Sequence, residues 1–366
     1  MISFRLYHAY QLLQQLFTSP ISEADRIAYY CKQNRALGSK DRKWLREIVF
    51  SIIRHRRLLE FLINHSGEEI SPSTLVALVD GGALDDIEAY SDIPWPIRYS
   101  ISDDLAQVLT EDFGEIEAQR LAKVWLTEAP ITIRVNTQKI SVAELKRKLG
   151  YPCSEGKVSE ALHFKQRYPL HSTQAFKQGL FEVQDETSQY IAQNIPITEK
   201  DCILDFCAGA GGKSLIFAQK AKHVVLHDSR KDALQQAKHR LLRAGARNFS
   251  LSMKEDLREH SFSTVVVDAP CSGCGIFRRH PEKKWQFSKR LLKNYCRVQR
   301  NILKQASQYV RFHGQLVYIT CSMLTAENEK HIAYMQLLGW KNEKTISFPL
   351  EIGEGDGFFV AYFRRA

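Results

Sequence analysis

The second half of the chain alternates short β-branched runs with longer amphipathic stretches. The runs at 202–206, 223–228, 249–253, 264–268 and 315–320 read as strands, and 214–219, 231–244 and 288–311 read as helices. This alternation predicts an α/β domain built on a doubly wound, Rossmann-like parallel sheet. Upstream the pattern changes. Over residues 1–90 apolar residues recur only at helical spacing: Leu12, Leu13, Leu16 and Phe17, then Leu45, Ile48, Val49, Ile52 and Ile53, with Ser39 placed to cap the later helix. Prolines at 94 and 96 make 91–96 read as a linker. A helix at 102–128, the alternating run 131–136, a helix at 141–149 and a strand at 161–165 suggest a small α+β unit. The predicted domains are therefore an all-helical 1–90, a linker helix with a small α+β unit over 91–185, and the α/β domain 186–366. A length of 366 residues agrees with two or three domains of roughly 150 each.

Charge narrows the class of partner. The net charge of +10 favours a polyanion, nucleic acid foremost. Lys40, Arg42, Lys43, Arg46, Arg54, Arg56 and Arg57 line the polar side of one helix, either as an RNA-binding face or as solvated surface. The eight cysteines, at 31, 153, 202, 207, 271, 274, 296 and 321, form no disulfide framework, so a reduced, cytoplasmic chain is expected. Cys271 and Cys274 make a lone CxxC with no second pair, and no metal is expected. No run approaches ~18 apolar residues, and the first residues lack a signal pattern, so no membrane association is expected.

Two cysteine motifs carry the chemistry. Asp268-Ala269-Pro270-Cys271-Ser272-Gly273 follows one predicted strand. Thr320-Cys321-Ser322, with Glu327-Asn328-Glu329 close behind, follows another. Side chains at such strand ends sit where open α/β sheets bind ligands, so two thiols are expected to act on one substrate. The turn Cys207-Ala208-Gly209-Ala210-Gly211-Gly212-Lys213-Ser214 fits neither a Walker A loop nor GxGxxG. Its glycines still allow close backbone approach to a ligand at a helix start. Asp228, at the end of the next strand, is spaced to accept from both hydroxyls of a ribose. The combination suits an adenosine ligand without a pyrophosphate, such as S-adenosylmethionine. Asp256 is placed either to accept from an adenine amino group or to serve as a capping or surface acid.

These motifs resemble the Nol1/Nop2/Sun class of RNA cytosine-5 methyltransferases, in its bacterial, RsmB-like ribosomal RNA branch. The likeness rests on 205–213 as methyl-donor loop, on 268–285 (DAPCSGCGIFRRHPEKKW), on TCSMLTAENE from Thr320, and on Asp356-Gly357-Phe358-Phe359. It is strong from about 180 to 366 and weaker in the middle, where Arg134-Val135-Asn136 is typical. Leu37 to Arg42 and Ile52-Ile53-Arg54 are similar to the NusB-like helical domain of the bacterial members, and the middle unit is expected to be RRM-like. The chain departs from the family at Ala210, where proline is common, and at Glu282, where Asp is usual. Asp232 and Ala233 stand where a basic residue often follows the second-strand acid, which leaves Lys213 as the better partner for the donor's carboxylate.

The resemblance implies methyl transfer to carbon 5 of cytosine, with S-adenosylmethionine as donor. It makes Cys321 the nucleophile, Cys271 an aid to adduct breakdown, and Asp268 the acid at the ring's nitrogen 3 and amino group. Ribosomal RNA is the first expected substrate and transfer RNA the second, for a monomeric protein. A DNA cytosine-5 enzyme would need only the first motif. A non-catalytic RNA-binding or assembly factor on the same fold would be expected to lose a cysteine. Arg278, Arg279, His280, Lys283 and Lys284, between Phe277 and Trp285, read as a basic loop with phosphate-binding arginines; Trp285 either stacks on a base or packs in a core.

Overall fold

The helix Ser39–Arg54 buries Leu45, Ile48, Val49, Ile52 and Ile53 along one stripe, as its spacing predicts. Its N-cap is Gly38 rather than Ser39. The Asp41 carboxylate accepts from the Gly38 backbone N–H at 3.2 Å, so an acid in the first turn closes the cap. The stripe packs with Leu12, Leu13, Ile27, Leu59, Ile63, Leu75 and Val76 into one apolar cluster. The computed structural model describes residues 3–17, 23–253, 256–259 and 261–365, and the Phe17 side chain lies outside what it describes.

The chain packs as two units. One runs to Thr127 and takes in His280–Ser288; the other holds Glu128–Arg279 and the chain from Lys289 onward. The described elements of the first unit are all helical. Its stretch 91–96 includes the start of a helical turn, Trp95–Arg98. The predicted helix 102–128 is two helices, Asp103–Phe113 and Glu115–Val124, parted at Gly114 with φ 79°.

The second unit contains two sheets. The strands are β1 (Ile131–Val135), β2 (Ser154–Glu155), β3 (Ala161–Phe164), β4 (Phe181–Val183), β5 (Cys202–Asp205), β6 (His223–Leu226), β7 (Phe249–Leu251), β8 (Phe262–Asp268), β9 (Val310–Thr320), β10 (Trp340–Phe348) and β11 (Phe358–Arg365). The small sheet has the order β2-β3-β1-β4 and is antiparallel. Arg134 lies on its inner strand β1 with Asn136 just after it, and Asn136 fastens the sheet to the larger domain. Arg134 Nε donates to Gln184, and Asn136 Nδ2 donates to the carbonyls of Gly179 and Ala244.

The large sheet has the order β10-β11-β9-β8-β5-β6-β7. It is mixed, not wholly parallel: β11 runs antiparallel to both β9 and β10. The physical reason is the connection. A helix (Glu329–Leu337) links β9 to β10, but only a loop follows β10, and so short a return allows antiparallel pairing alone. The predicted helix 288–311 ends at Ala306, and its last residues already belong to β9. Strand order reverses between β5 and β8, which opens a crevice at their C-terminal ends.

Candidate active site

β8 and β9 are parallel neighbours in register, Asp268 opposite Ile319. Both motifs therefore leave the sheet side by side. Cys271 Sγ lies 3.3 Å from Cys321 Sγ, with Cys271 buried and Cys321 half-buried. Its hydrogen bond with Cys321, and burial after it, push the Cys271 thiol well above its ordinary pKa. Cys271 is thus a sulfur that holds its proton tightly.

Beneath the thiols a buried polar network joins the two loops. Glu327 accepts from the Ser272 backbone N–H (2.8 Å), from the hydroxyls of Ser272 and Ser322 (2.5 Å each) and from Gln299 Nε2 (2.9 Å). Gln299 Nε2 also donates to Pro270 O, and its Oε1 meets His331 Nε2 at 2.7 Å. Asn328 accepts from the Thr320 hydroxyl and donates to Ser322 O. Glu327 and Asn328 stand out in the sequence, whereas Gln299 and His331 were missed there. The signal was present: Gln299 is a polar residue on the apolar stripe of Leu292, Leu303 and Ala306. Gly275 completes the frame, donating to Cys321 O and accepting from Gly357 N; a Cβ there would collide with Gly357 O.

Cys274 is fully buried, and burial with the Glu327 charge pushes its thiol up to about 12. Its sulfur meets Met323 N and the Ser322 hydroxyl. Among the described residues no group of three or more His, Cys, Asp or Glu is arranged to hold a metal ion.

The glycine turn lies at the neighbouring end of β5. Gly209 and Gly211 have φ of 54° and 76°, and a Cβ on Gly211 would sit 2.9 Å from Ala237 Cβ. Ala208 N donates to His227 O past β6, and Gly211 N to Ala208 O within the turn; Ala210 O accepts from Arg240, and Gly212 O from Gln184. Cys207 is half-buried at the turn's start, its thiol raised by burial. Lys213 is buried and points to Asp268, Nζ to Oδ2 at 2.6 Å. Burial works against its charge, but Asp268 more than offsets this, and the Lys213 pKa is raised. Asp228, two residues past β6, accepts from Gly209 N at 2.8 Å and from the backbone and guanidinium of Arg230. Arg230, unnoticed in the sequence, stands two residues after Asp228, nearer than the usual basic position. Asp256 is exposed in a short turn past β7.

The structure corrects the basic loop. Arg278 is buried and donates to the carbonyls of Glu351, Glu354 and Gly355. Arg279 pairs with Asp356 (2.6 Å) and Asp185 (3.0 Å). These donors go to the protein's own carbonyls and carboxylates, not to phosphate. Lys284 is buried in the helical unit and donates to Arg54 O and Tyr99 O; Trp285 packs on that unit's core and donates to Ile53 O. On the helix Ser39–Arg54 and beyond it, Arg54 is buried, Arg56 pairs with Glu60 and Arg57 with Asp103. Lys40 and Lys43 remain exposed.

Residues 192–363 match the family model described as 16S rRNA methyltransferase RsmB/F. Ribosomal RNA small subunit methyltransferase B of Citrobacter koseri is 30% identical over 230 residues, 58% of this chain and 53% of that protein. The chain spans about half the length of the curated relatives it matches. The crystal structure of PH0851 is similar across 100% of this chain and 99% of its own, with TM-score 0.84 and 19% identity. That of NSun6 from Pyrococcus horikoshii with SFG covers 72% and 98%, with TM-score 0.63 and 21% identity. These two likenesses support the fold. Among the described residues no helix is long and apolar enough to cross a membrane. The family match and the paired motifs converge: the stretch 192–363, which carries both cysteines, is similar to the 16S rRNA methyltransferases RsmB/F.

Proposed function

We propose that this chain methylates carbon 5 of a cytosine in RNA, with ribosomal RNA as the first candidate substrate and S-adenosylmethionine as donor, through a bond between Cys321 and carbon 6. One observation carries the reading: two thiols from separate motifs meet at 3.3 Å beside the Lys213–Asp268 pair. Relatives named as ribosomal RNA small subunit methyltransferases, and a structural neighbour solved with SFG, support it.

The donor fits the crevice on its residues. The positive-φ glycines keep side chains off the turn. Asp228 is a buried acid whose one side-chain partner among the described residues is an exposed arginine that ribose hydroxyls can displace. Asp228 would hold the ribose, with the turn 207–213 beside it. When bound, S-adenosylmethionine supplies the methyl group for carbon 5.

The protein's own residues do the rest. Cys321 would attack as thiolate, with the Cys271 sulfur 3.3 Å away and the Lys213–Asp268 pair beside it. Its sulfur adds to carbon 6, and the ring's double-bond pair moves to carbon 5, which becomes nucleophilic. Asp268, as the acid, gives a proton to nitrogen 3 as the sulfur adds and accepts from the amino group, and it takes that proton back when the adduct breaks down. After methylation a base removes the carbon 5 proton, the carbon 6–sulfur bond breaks, and Cys321 leaves as thiolate, with Cys271 assisting this release.

The test separates the cysteines. Cys321→Ala should abolish methylation and form no covalent RNA adduct. Cys271→Ala should still add but release slowly, so that adducts survive denaturing gels, because loss of a group used only in release leaves the addition step intact. Adducts trapped in Cys321→Ala alone would make Cys271 the nucleophile. Full activity in both variants would sink the mechanism and favour a binding factor. Bisulfite mapping of cellular RNA with and without the protein would then decide ribosomal against transfer RNA.

A further inference from the structure

The helix Lys289–Ala306 carries six cations, Lys289, Arg290, Lys293, Arg297, Arg300 and Lys304, and no Asp or Glu. Five of them, from Arg290 to Lys304, recur at steps of three, four, three and four, and all five are exposed. That spacing lines them along one face. The opposite face is buried through Leu292, Gln299, Leu303 and Ala306. Among the described residues no carboxylate pairs with any of the five. Arg297 donates to Asn294, and the Arg300 guanidinium lies over Tyr334. Like charges at these spacings destabilise a helix. Solvated helix faces ordinarily mix signs, so a row of one sign points to an anionic partner.

The helix is also fastened to both cysteine loops. Gln299 donates to Pro270 O and to Glu327, and Cys296 Sγ reaches Ala326 O at 3.3 Å. Tyr295, one turn from the first cations, feels the thiols: burial, then the charges of Cys271, Glu327 and Cys321, raise its pKa. The row runs about 21 Å at ~1.5 Å per residue, the axial length of about six phosphates of one strand.

We propose that this row binds the sugar-phosphate backbone of the RNA flanking the target nucleotide. The proposal rests on the RNA reading of the active site and adds where the strand lies. The row replaces the buried arginines of the 278–279 loop as the source of phosphate binding.

The test is equilibrium binding of a single-stranded RNA oligonucleotide to the full chain, followed by fluorescence anisotropy across a salt series. The triple variant Arg290→Gln, Lys293→Gln, Arg297→Gln should flatten the slope of log affinity against log salt by about 2, at ~0.7 for each phosphate no longer neutralised. Affinity at low salt should fall at least about tenfold, with the melting temperature not lowered and S-adenosylmethionine affinity unchanged. The control Lys40→Gln, Lys43→Gln should keep the wild-type slope. A triple variant with the wild-type slope would overturn the assignment of the row while leaving the RNA reading intact. Wild-type binding with no salt dependence would likewise overturn the row, whereas wild-type protein that binds no RNA at all would overturn the RNA reading itself.

Discussion

Asp205, Asp228 and Asp268 stand at three adjoining strand ends and meet three different environments. Asp205 is buried with the Ser214 hydroxyl as its bonded partner, and burial, reinforced by the Asp268 and Asp228 charges, pushes its pKa up to about 7. An unfolded aspartate titrates near ~3.9, so between about 4 and about 7 the folded chain holds the extra proton and stability falls as pH rises. Asp205→Asn removes that fall. Relative to wild type its melting temperature should rise from pH 5 to pH 7.5 by at least about 2 °C; a constant difference in thermal scans would refute the assignment. Asp228 takes the opposite course. Burial opposes its charge, but Arg230 and Gly209 outweigh it and hold its pKa below the usual carboxylate range. Asp228→Ala should weaken S-adenosylmethionine binding at least about tenfold, the loss of charge-assisted hydrogen bonds. Arg230→Ala should instead tighten it, by up to about fivefold, because an exposed ion pair of ~1 kcal/mol no longer competes for the carboxylate. Calorimetry reads both, and a tenfold loss on Arg230→Ala would make Arg230 a donor-binding residue.

At the scale of elements, the two cysteine loops are held by one carboxylate. Glu327 sits on the loop after β9, yet it gathers Ser272 from the loop after β8 and Gln299 from the helix Lys289–Ala306. Truncating it strands buried donors from three segments. Glu327→Ala should cost about 3 kcal/mol in urea unfolding and loosen the pairing of Cys271 with Cys321. Alkylation of Cys271 should accelerate accordingly, while Glu327→Gln, which keeps one acceptor and the shape, should lose less on both counts. Equal unfolding midpoints for wild type and Glu327→Ala would show that the network does not bind the loops together.

At the scale of the whole molecule, the chain's order and its packing part company. The stretch His280–Ser288 interrupts the α/β unit in sequence but belongs to the helical one. Trp285 packs against the helical cluster, and the Arg56 guanidinium lies 4.7 Å from its ring centre. Trp285→Ala should destabilise that unit by about 2–4 kcal/mol, as a large-to-small core change does. Hydrogen exchange should show the loss spread over Ser39–Arg54 and its neighbours. Loss of RNA affinity with full helical protection would instead restore the base-stacking role.

The sequence by itself settled what is local. β-branched runs, helical stripes and glycine turns are short-range preferences, so β5, β6 and β8 and the helix Lys231–Ala244 stand within a residue or two of where the pattern puts them. The two cysteine motifs were legible for the same reason: each is a strand end followed by a turn. Tertiary structure decided what depends on partners distant in the chain. Only the parallel pairing of β8 with β9 brings Cys271 to Cys321 across fifty residues. Only packing turns Arg278, Arg279 and Lys284 inward, because a buried cation must find acceptors that local sequence does not specify. The antiparallel edge of β10 and β11 was set by a loop too short for a crossover. The exposed basic row was spelled in the chain throughout, but which face of its helix meets water became definite only once Gln299 had a loop to hold.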